Sequence, residues 1–270
     1  MVDCIVVGAG AAGMMCAGIA AAEGKTVLLL ERNRICGKKL RITGKGRCNL
    51  TNACDQNTFL ASVVRNPRFL FSSYAAFPPE AVMAFFESLG VSLKVERGNR
   101  VFPQSDRAAD IADALGTFVL KTGVRLRQAF VRDLLIWDGA VYGVVLENGQ
   151  VEEGRRVAVA CGGISYPSTG SDGSGYRLAA QAGHTIIPPR GSLVPWKTTE
   201  SAFCSSLQGL SLKNVALTVL RNSKVIYTDF GEMLFTHFGV SGPMVLSASC
   251  FLQPGDEFRI DLKPALEEAV

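Results

Sequence analysis

Cys4-Ile5-Val6-Val7-Gly8-Ala9-Gly10-Ala11-Ala12-Gly13 comes almost at the start of the chain and decides how the rest is read. Its first four residues are a short apolar run of the kind buried on both faces of a parallel sheet. They meet a G-x-G-x-x-G turn. An alanine-rich stretch follows to about Glu23, and alanine loses little freedom on entering a helix. Gly24 stops that helix, and residues 26–30 form a second strand that ends on Glu31. Gly8 permits the tight turn, Gly10 lets backbone approach a pyrophosphate, and Gly13 lets helix and strand pack closely. The helix N-terminus then presents unpaired N–H groups and the positive end of its dipole to phosphate. Glu31 lies 18 residues after Gly13, where a carboxylate accepts ribose hydroxyls and repels a 2′-phosphate. A lone G-x-G-x-x-G marks only a glycine-rich turn. Strand, turn, helix, second strand and terminal acid at these spacings predict an α/β dinucleotide-binding unit.

The bulk properties narrow the partners. At 270 residues the chain makes one large domain or two modest ones, and its 48% hydrophobic and 19% charged residues are ordinary for a soluble α/β protein. A net charge of +4 is too small to make nucleic acid or an anionic membrane the main partner. No apolar run approaches the roughly 18–20 residues that cross a bilayer. The opening MVDCIVVGAGAAG lacks a basic leader and reads as mature structure. Eight cysteines without a C-x-x-C pair suit reduced thiols in a cytoplasmic protein. No clustered Cys/His spacing suggests a metal.

Two later segments choose between dinucleotides. Residues 37–52, GKKLRITGKGRCNLTN, hold three glycines and five cations and cannot sustain an apolar helical face. A Rossmann unit for NAD would place a helix here. The stretch reads as a long loop laid over an anion, with backbone N–H groups and cations on phosphate, and with Asn49, Thr51 and Asn52 available to a polar ring. Residues 157–163, VAVACGG, are an apolar strand running into small residues that allow close ligand approach. They follow a run of alternating strands over about 125–150, with turns at Asp138-Gly139 and Asn148-Gly149. Together the two segments favour FAD over NAD.

GKKLRITGKGRCNLTN, GNRVFPQSDRAADIADAL (98–115), ACGGISYPSTGSDGSGYRLAAQAGH (160–184) and GEMLFTHFGVSGPMVLS (231–247) together resemble one family. It is the BaiN/RdsA-type NAD(P)/FAD-dependent oxidoreductases, which include aminoacetone-oxidase-like proteins and bile-acid enone reductases. The resemblance covers essentially the whole chain. It implies a glutathione-reductase-like Rossmann FAD-binding domain with an inserted, β-rich substrate domain, here partly present. It further implies cofactor contacts at Gly8, Gly10, Ala12, Gly13, Glu31, Arg32, Lys38, Lys39, Gly46, Arg47, Cys48 and Asn49. Val131 would meet the adenine, and Ala160, Gly162 and Gly163 would line the later segment. One departure stands out: the family's closing segment, of the type G-E-x-x-D-x-x-G-x-x-G-G-Y-N, has no match here. The chain resembles the first two-thirds of a member, and an incomplete flavin pocket is expected.

Flavin supplies redox chemistry itself, so few catalytic side chains are needed. His237 sits in a polar, glycine-containing break between apolar runs, where it reads either as a group presented to flavin or as part of a turn between strands. Tyr166, just beyond Gly163, reads either as a donor near the flavin or as a ring packed over the turn before Pro167. His184, after a helix over 175–183, reads as structural, and a dithiol role for Cys48 lacks a resolving cysteine at suitable spacing. With a single G-x-G-x-x-G, an NAD(P)H donor would bind transiently over the flavin or be absent. The activity expected is hydride transfer between FAD and a small organic substrate. Reduction of a conjugated C=C and oxidation of an amine or aminoketone by O₂ both fit; a flavin-binding protein without turnover and an NAD-only dehydrogenase remain as alternatives. Oligomeric state is open. The expected division is an FAD-binding domain over 1–190, with a β-meander, a helical excursion and helices at 79–89 and 106–121, and a partial β-rich domain over 191–270 with strands at 215–220, 224–227 and 258–262.

Overall fold

A computed structural model describes residues 1–264, and the chain forms two compact units, Met1–Ile187 and Pro188–Val270. The first unit opens with β1 (Cys4–Val7), α1 (Ala11–Ala22) and β2 (Val27–Glu31), followed by a tight helical segment at Leu40–Gly46. An excursion follows: β3 (Thr51–Asn52), α2 (Gln56–Ser62), α3 (Phe71–Ala76), α4 (Pro79–Ser88), β4 (Leu93–Glu96) and β5 (Arg100–Pro103). Then come α5 (Ala108–Lys121), β6 (Arg125–Gln128), β7 (Val131–Trp137), β8 (Ala140–Leu146), β9 (Val151–Glu153), β10 (Val157–Val159) and α6 (Ser174–Gln181). The second unit holds β11 (Trp196–Lys197), α7 (Ser201–Ser206), β12 (Ser211–Arg221), β13 (Lys224–Thr236), β14 (Gly239–Ser241), α8 (Pro243–Ala248) and β15 (Glu257–Asp261).

β1 is the reason the first unit closes around one sheet. It pairs in parallel with β2 on one side and β10 on the other, and β6 extends the order to β10-β1-β2-β6. Side chains alternate across such a sheet. Val6 and Leu29 therefore pack with Met14 and Ala17 of α1 and Ile111, Leu115 and Val119 of α5. Ile5, Val7, Leu28 and Leu30 point the other way, against Val131, Val144 and Leu146 of the meander and Leu178 of α6. The sheet is thus a middle layer with helices on one face and a β7-β8-β9 meander on the other. Fully burying each of these Ile, Leu and Val side chains stabilises the fold by about 1.5–3 kcal/mol. This is a Rossmann-type unit, as its opening motif requires.

The second unit is an antiparallel sheet of order β11-β14-β13-β12-β15. The long β12–β13 hairpin contributes Leu217, Val219, Met233 and Phe235 to a core completed by Met244, Val245 and Ala248 of α8.

Several details differ from the sequence reading. β6 was expected within the antiparallel run; it joins the parallel sheet instead, with Leu28 opposite Arg125 and Leu30 opposite Arg127. The segment 37–52 is less irregular than expected. Leu40–Gly46 coils tightly, broken at Thr43 (ψ 153°) and at left-handed Gly44 and Lys45, and Thr51–Asn52 pairs with β5. α5 starts two residues late because Asp106 is left-handed (φ 57°) and Arg107 is extended. The chain divides between Ile187 and Pro188, where the reading placed the boundary after Arg190.

Candidate dinucleotide-binding site

The carboxyl ends of β1 and β2 open onto a cavity of about 250 Å³. Its walls come from the turn after β1, the tip of β2, residues 38–40 with Thr43, residues 129–131, and residues 161–162 and 169–171 with Ser174. Ligands of open α/β sheets bind at this end of the strands.

The glycine turn builds one wall. Gly8 has φ +103°, a conformation open to glycine. A Cβ on Gly13 would lie 1.8 Å from the Gly8 carbonyl oxygen, so α1 packs directly on the turn. A Cβ on Gly10 would meet nothing within 4 Å, which leaves the approach to the helix end clear. That end has no side-chain cap, and its first turn carries no acid. The first N–H groups of a helix have no partner within it, so α1 offers them, with its dipole, to an anion.

Glu31 faces this end and is 8% exposed. One carboxylate oxygen accepts the Ala9 N–H at 2.6 Å; the other accepts the Asn33 backbone N–H at 2.8 Å and its Nδ2 at 2.7 Å. These bonds lock the acid against the turn, and ionised oxygens retain lone pairs for ribose hydroxyls.

The segment after β10 is laced to the segment after β2. Lys38 Nζ donates to the Ser168 carbonyl at 2.7 Å, Lys39 Nζ to the Ser165 carbonyl at 2.7 Å, and Asn33 Nδ2 to the Thr169 carbonyl at 3.2 Å. Arg32 pairs with Asp172 and lies over the Phe130 ring, 4.7 Å from its centroid. Arg32 holds the Asp172 carboxyl down to about 2.

Of the residues expected at the cofactor, Gly8, Gly10, Glu31, Arg32, Lys38, Lys39, Val131 and Gly162 line this one cavity. Three others adjoin the lining without being part of it. Ala12 lies in the first turn of α1, Gly13 packs on Gly8, and the Ala160 N–H donates to the Val7 carbonyl at 2.8 Å. The remainder lie outside the lining. Arg47 donates to Asp106 at 2.9 Å and to Glu96, and stacks 4.1 Å from the Phe102 centroid. Those bonds, first to Glu96 and then to Asp106, raise its pKa above the usual arginine value. Its backbone N–H is bound to the Gly44 carbonyl, and that of Cys48 to the Thr43 carbonyl. The Arg47 guanidinium and the Arg47 and Cys48 N–H groups are thus engaged within the protein. Cys48 is 1% exposed, and burial pushes its thiol pKa up. Gly46 and Asn49 are exposed beside it. Asn52 donates to the Gly98 carbonyl at 2.8 Å rather than to a ring.

Gly163 gives its carbonyl to the Gly173 N–H. Tyr166 is 67% exposed in a left-handed turn, its carbonyl bound by Thr169. His237 is exposed at the β13–β14 turn of the second unit, edge-on to Phe238 at 4.9 Å. Tyr166 is not among the residues that line the cavity, and His237 belongs to the second unit. Sequence reasoning missed Asn33, Phe130 and Thr169. Asn33 alone left a signal, an amide two residues after the terminal acid, spaced for an Asx-type local bond.

The cavity lies just below the roughly 300–1,000 Å³ that encloses a drug-sized ligand, so it suits the ADP half of a dinucleotide. The free helix end, the open space at Gly10 and the set carboxylate fit that half.

This fold and site define a Rossmann protein of the FAD-binding class. The family described as HI0933-like protein Rossmann domain matches residues 2–246, and the chain belongs to it. It is a family of FAD-dependent oxidoreductases, and the resemblance read from GKKLRITGKGRCNLTN and its companion motifs is borne out. A ribosomal RNA dihydrouridine synthase of Escherichia coli strain K12 is 32% identical over 267 residues, 98% of this chain and 64% of that protein. A 3-dehydro-bile acid delta(4,6)-reductase of Clostridium scindens is 34% identical over 272 residues, 97% of this chain and 64% of that protein. The chain therefore spans under two-thirds of the length of these relatives. Among solved structures, a 3-ketosteroid-delta4-(5alpha)-dehydrogenase from Rhodococcus jostii RHA1 shares the fold at TM-score 0.54 and 20% identity, over 68% of this chain and 54% of that one.

Proposed function

We propose that this chain forms the FAD-binding part of an oxidoreductase that reduces a carbon–carbon double bond conjugated to a carbonyl, with NAD(P)H as transient donor. The observation that carries the reading is the cavity itself: an uncapped helix end, clear space at Gly10 and a locked Glu31. FAD, when bound, supplies the hydride chemistry. The chain's residues do the holding. The α1 N-terminus takes the pyrophosphate, Glu31 takes the ribose hydroxyls, and the walls near Val131 and Phe130 take the adenine. The names of the two relatives share one chemical step, saturation of a C=C, and this favours reduction over amine oxidation.

The substrate is a small molecule. Four of the five cations of the basic segment, Lys38, Lys39, Arg41 and Arg47, are engaged by protein acceptors. The eight cysteines are all free thiols, which suits a cytoplasmic setting. The test is spectroscopic. Purified protein should be yellow, release FAD on denaturation, bleach under NAD(P)H without oxygen, and regain colour on adding a simple cyclic enone. Protein that takes up no FAD, or that is reoxidised by O₂ with an aminoketone cycle but never by an enone, or only by an RNA substrate, overturns the reading.

A further inference from the structure

Arg32 follows Glu31 at the tip of β2 and lines the nucleotide cavity. A Rossmann site that accepts a 2′-phosphate carries an arginine near this position. A free guanidinium here would attract that phosphate and oppose the exclusion that Glu31 provides. It is not free. Its Nη1 donates to Asp172, and its plane is held over Phe130. Asp172 sits between left-handed Gly170 (φ 100°) and Gly173 (φ 85°), and its other oxygen accepts the Ser174 N–H at 3.1 Å. That turn is anchored independently of the ion pair, by Asn33 on Thr169 and Lys38 on Ser168. The carboxylate is thus delivered to Arg32 by a fixed backbone.

We propose that Asp172 is a positioning residue that sets nucleotide specificity: by engaging Arg32 it denies the guanidinium to a 2′-phosphate, so the cavity takes nucleotides with a free 2′-hydroxyl. The inference rests on the dinucleotide reading of the cavity and is independent of the substrate. The arrangement makes specificity a property of two segments, β2 and the turn after β10. Glu31 repels the extra phosphate, and Asp172 engages the guanidinium that directly follows it.

The test uses 5′-AMP and adenosine 2′,5′-bisphosphate, which differ only in the 2′-phosphate, titrated calorimetrically into the whole chain freed of nucleotide. Wild type should prefer 5′-AMP by about tenfold or more, the increment of one charge-assisted hydrogen bond. Asp172→Asn should erase about tenfold of that preference by tightening the bisphosphate, while Asp172→Glu retains it. Adding Arg32→Met to Asp172→Asn should restore the preference, which a merely structural role for Asp172 would not do. An unchanged ratio in Asp172→Asn, or a gain that survives loss of Arg32, overturns the proposal while leaving the cavity's reading intact. Failure of wild type to bind either nucleotide overturns both.

Discussion

Gly10 and Gly13 belong to one motif, yet different neighbours require them. Gly13 is required by the protein itself, because a Cβ there would collide with the Gly8 carbonyl at 1.8 Å. Around Gly10 no further protein atom lies within 4 Å of the corresponding point, so packing within the protein does not require a glycine there. Gly13→Ala should therefore lower the melting temperature, at a cost of about 1–3 kcal/mol for overpacking. Gly10→Ala should melt within about 1 kcal/mol of wild type, since its φ of −79° suits alanine and the helix cap changes little. It should nevertheless lose FAD on gel filtration. A Gly10→Ala protein that melts early and keeps its flavin would reverse this assignment. Comparing the two variants separates folding from binding within a four-residue span.

At the scale of elements, the basic segment 37–52 shows what neighbouring chain can hide. Five cations beside three glycines read as a phosphate cradle, but the acceptors of Arg47 are Glu96 and Asp106, 49 and 59 residues further on. Lys94 joins them at 2.8 Å from Asp106, so the cluster ties the segment to the β4–β5 hairpin. Arg47→Met should lower the melting temperature and leave 5′-AMP affinity unchanged, measured by scanning calorimetry and titration. Weakened nucleotide binding with unchanged melting would return Arg47 to the phosphate. The opening β1–α1–β2 unit was legible because its signals are local: periodicity, a glycine turn and a terminal acid within 31 residues. Elements whose partners are remote were not legible. β6 alternates like a meander strand, and only its pairing with β2 makes it parallel. His237 and Tyr166 both occupy turns, and polar residues among glycines mark reactive loops and ordinary turns alike, so sequence alone does not separate the two readings.

On the scale of the whole molecule, each unit buries its own core, the first around Val6, Leu29 and Ile111 and the second around Leu217 and Met233. The connection between them is exposed, with Ile187 at 79% and Leu193 at 65%. Limited trypsin should cut first at Arg190, because exposed segments with few buried contacts open most easily. Mass spectrometry of the earliest fragments checks this; a first cut inside the helical excursion would make that region the weakest point instead. The place of β1 between β2 and β10 has a consequence for the making of the protein. Val157 leaves the ribosome 126 residues after Glu31, so at about 5–20 residues per second one apolar edge of β1 waits roughly 6–25 s for its partner. During that interval the nascent chain carries an unsealed strand edge, and this end of the polypeptide is expected to need shielding from aggregation during synthesis.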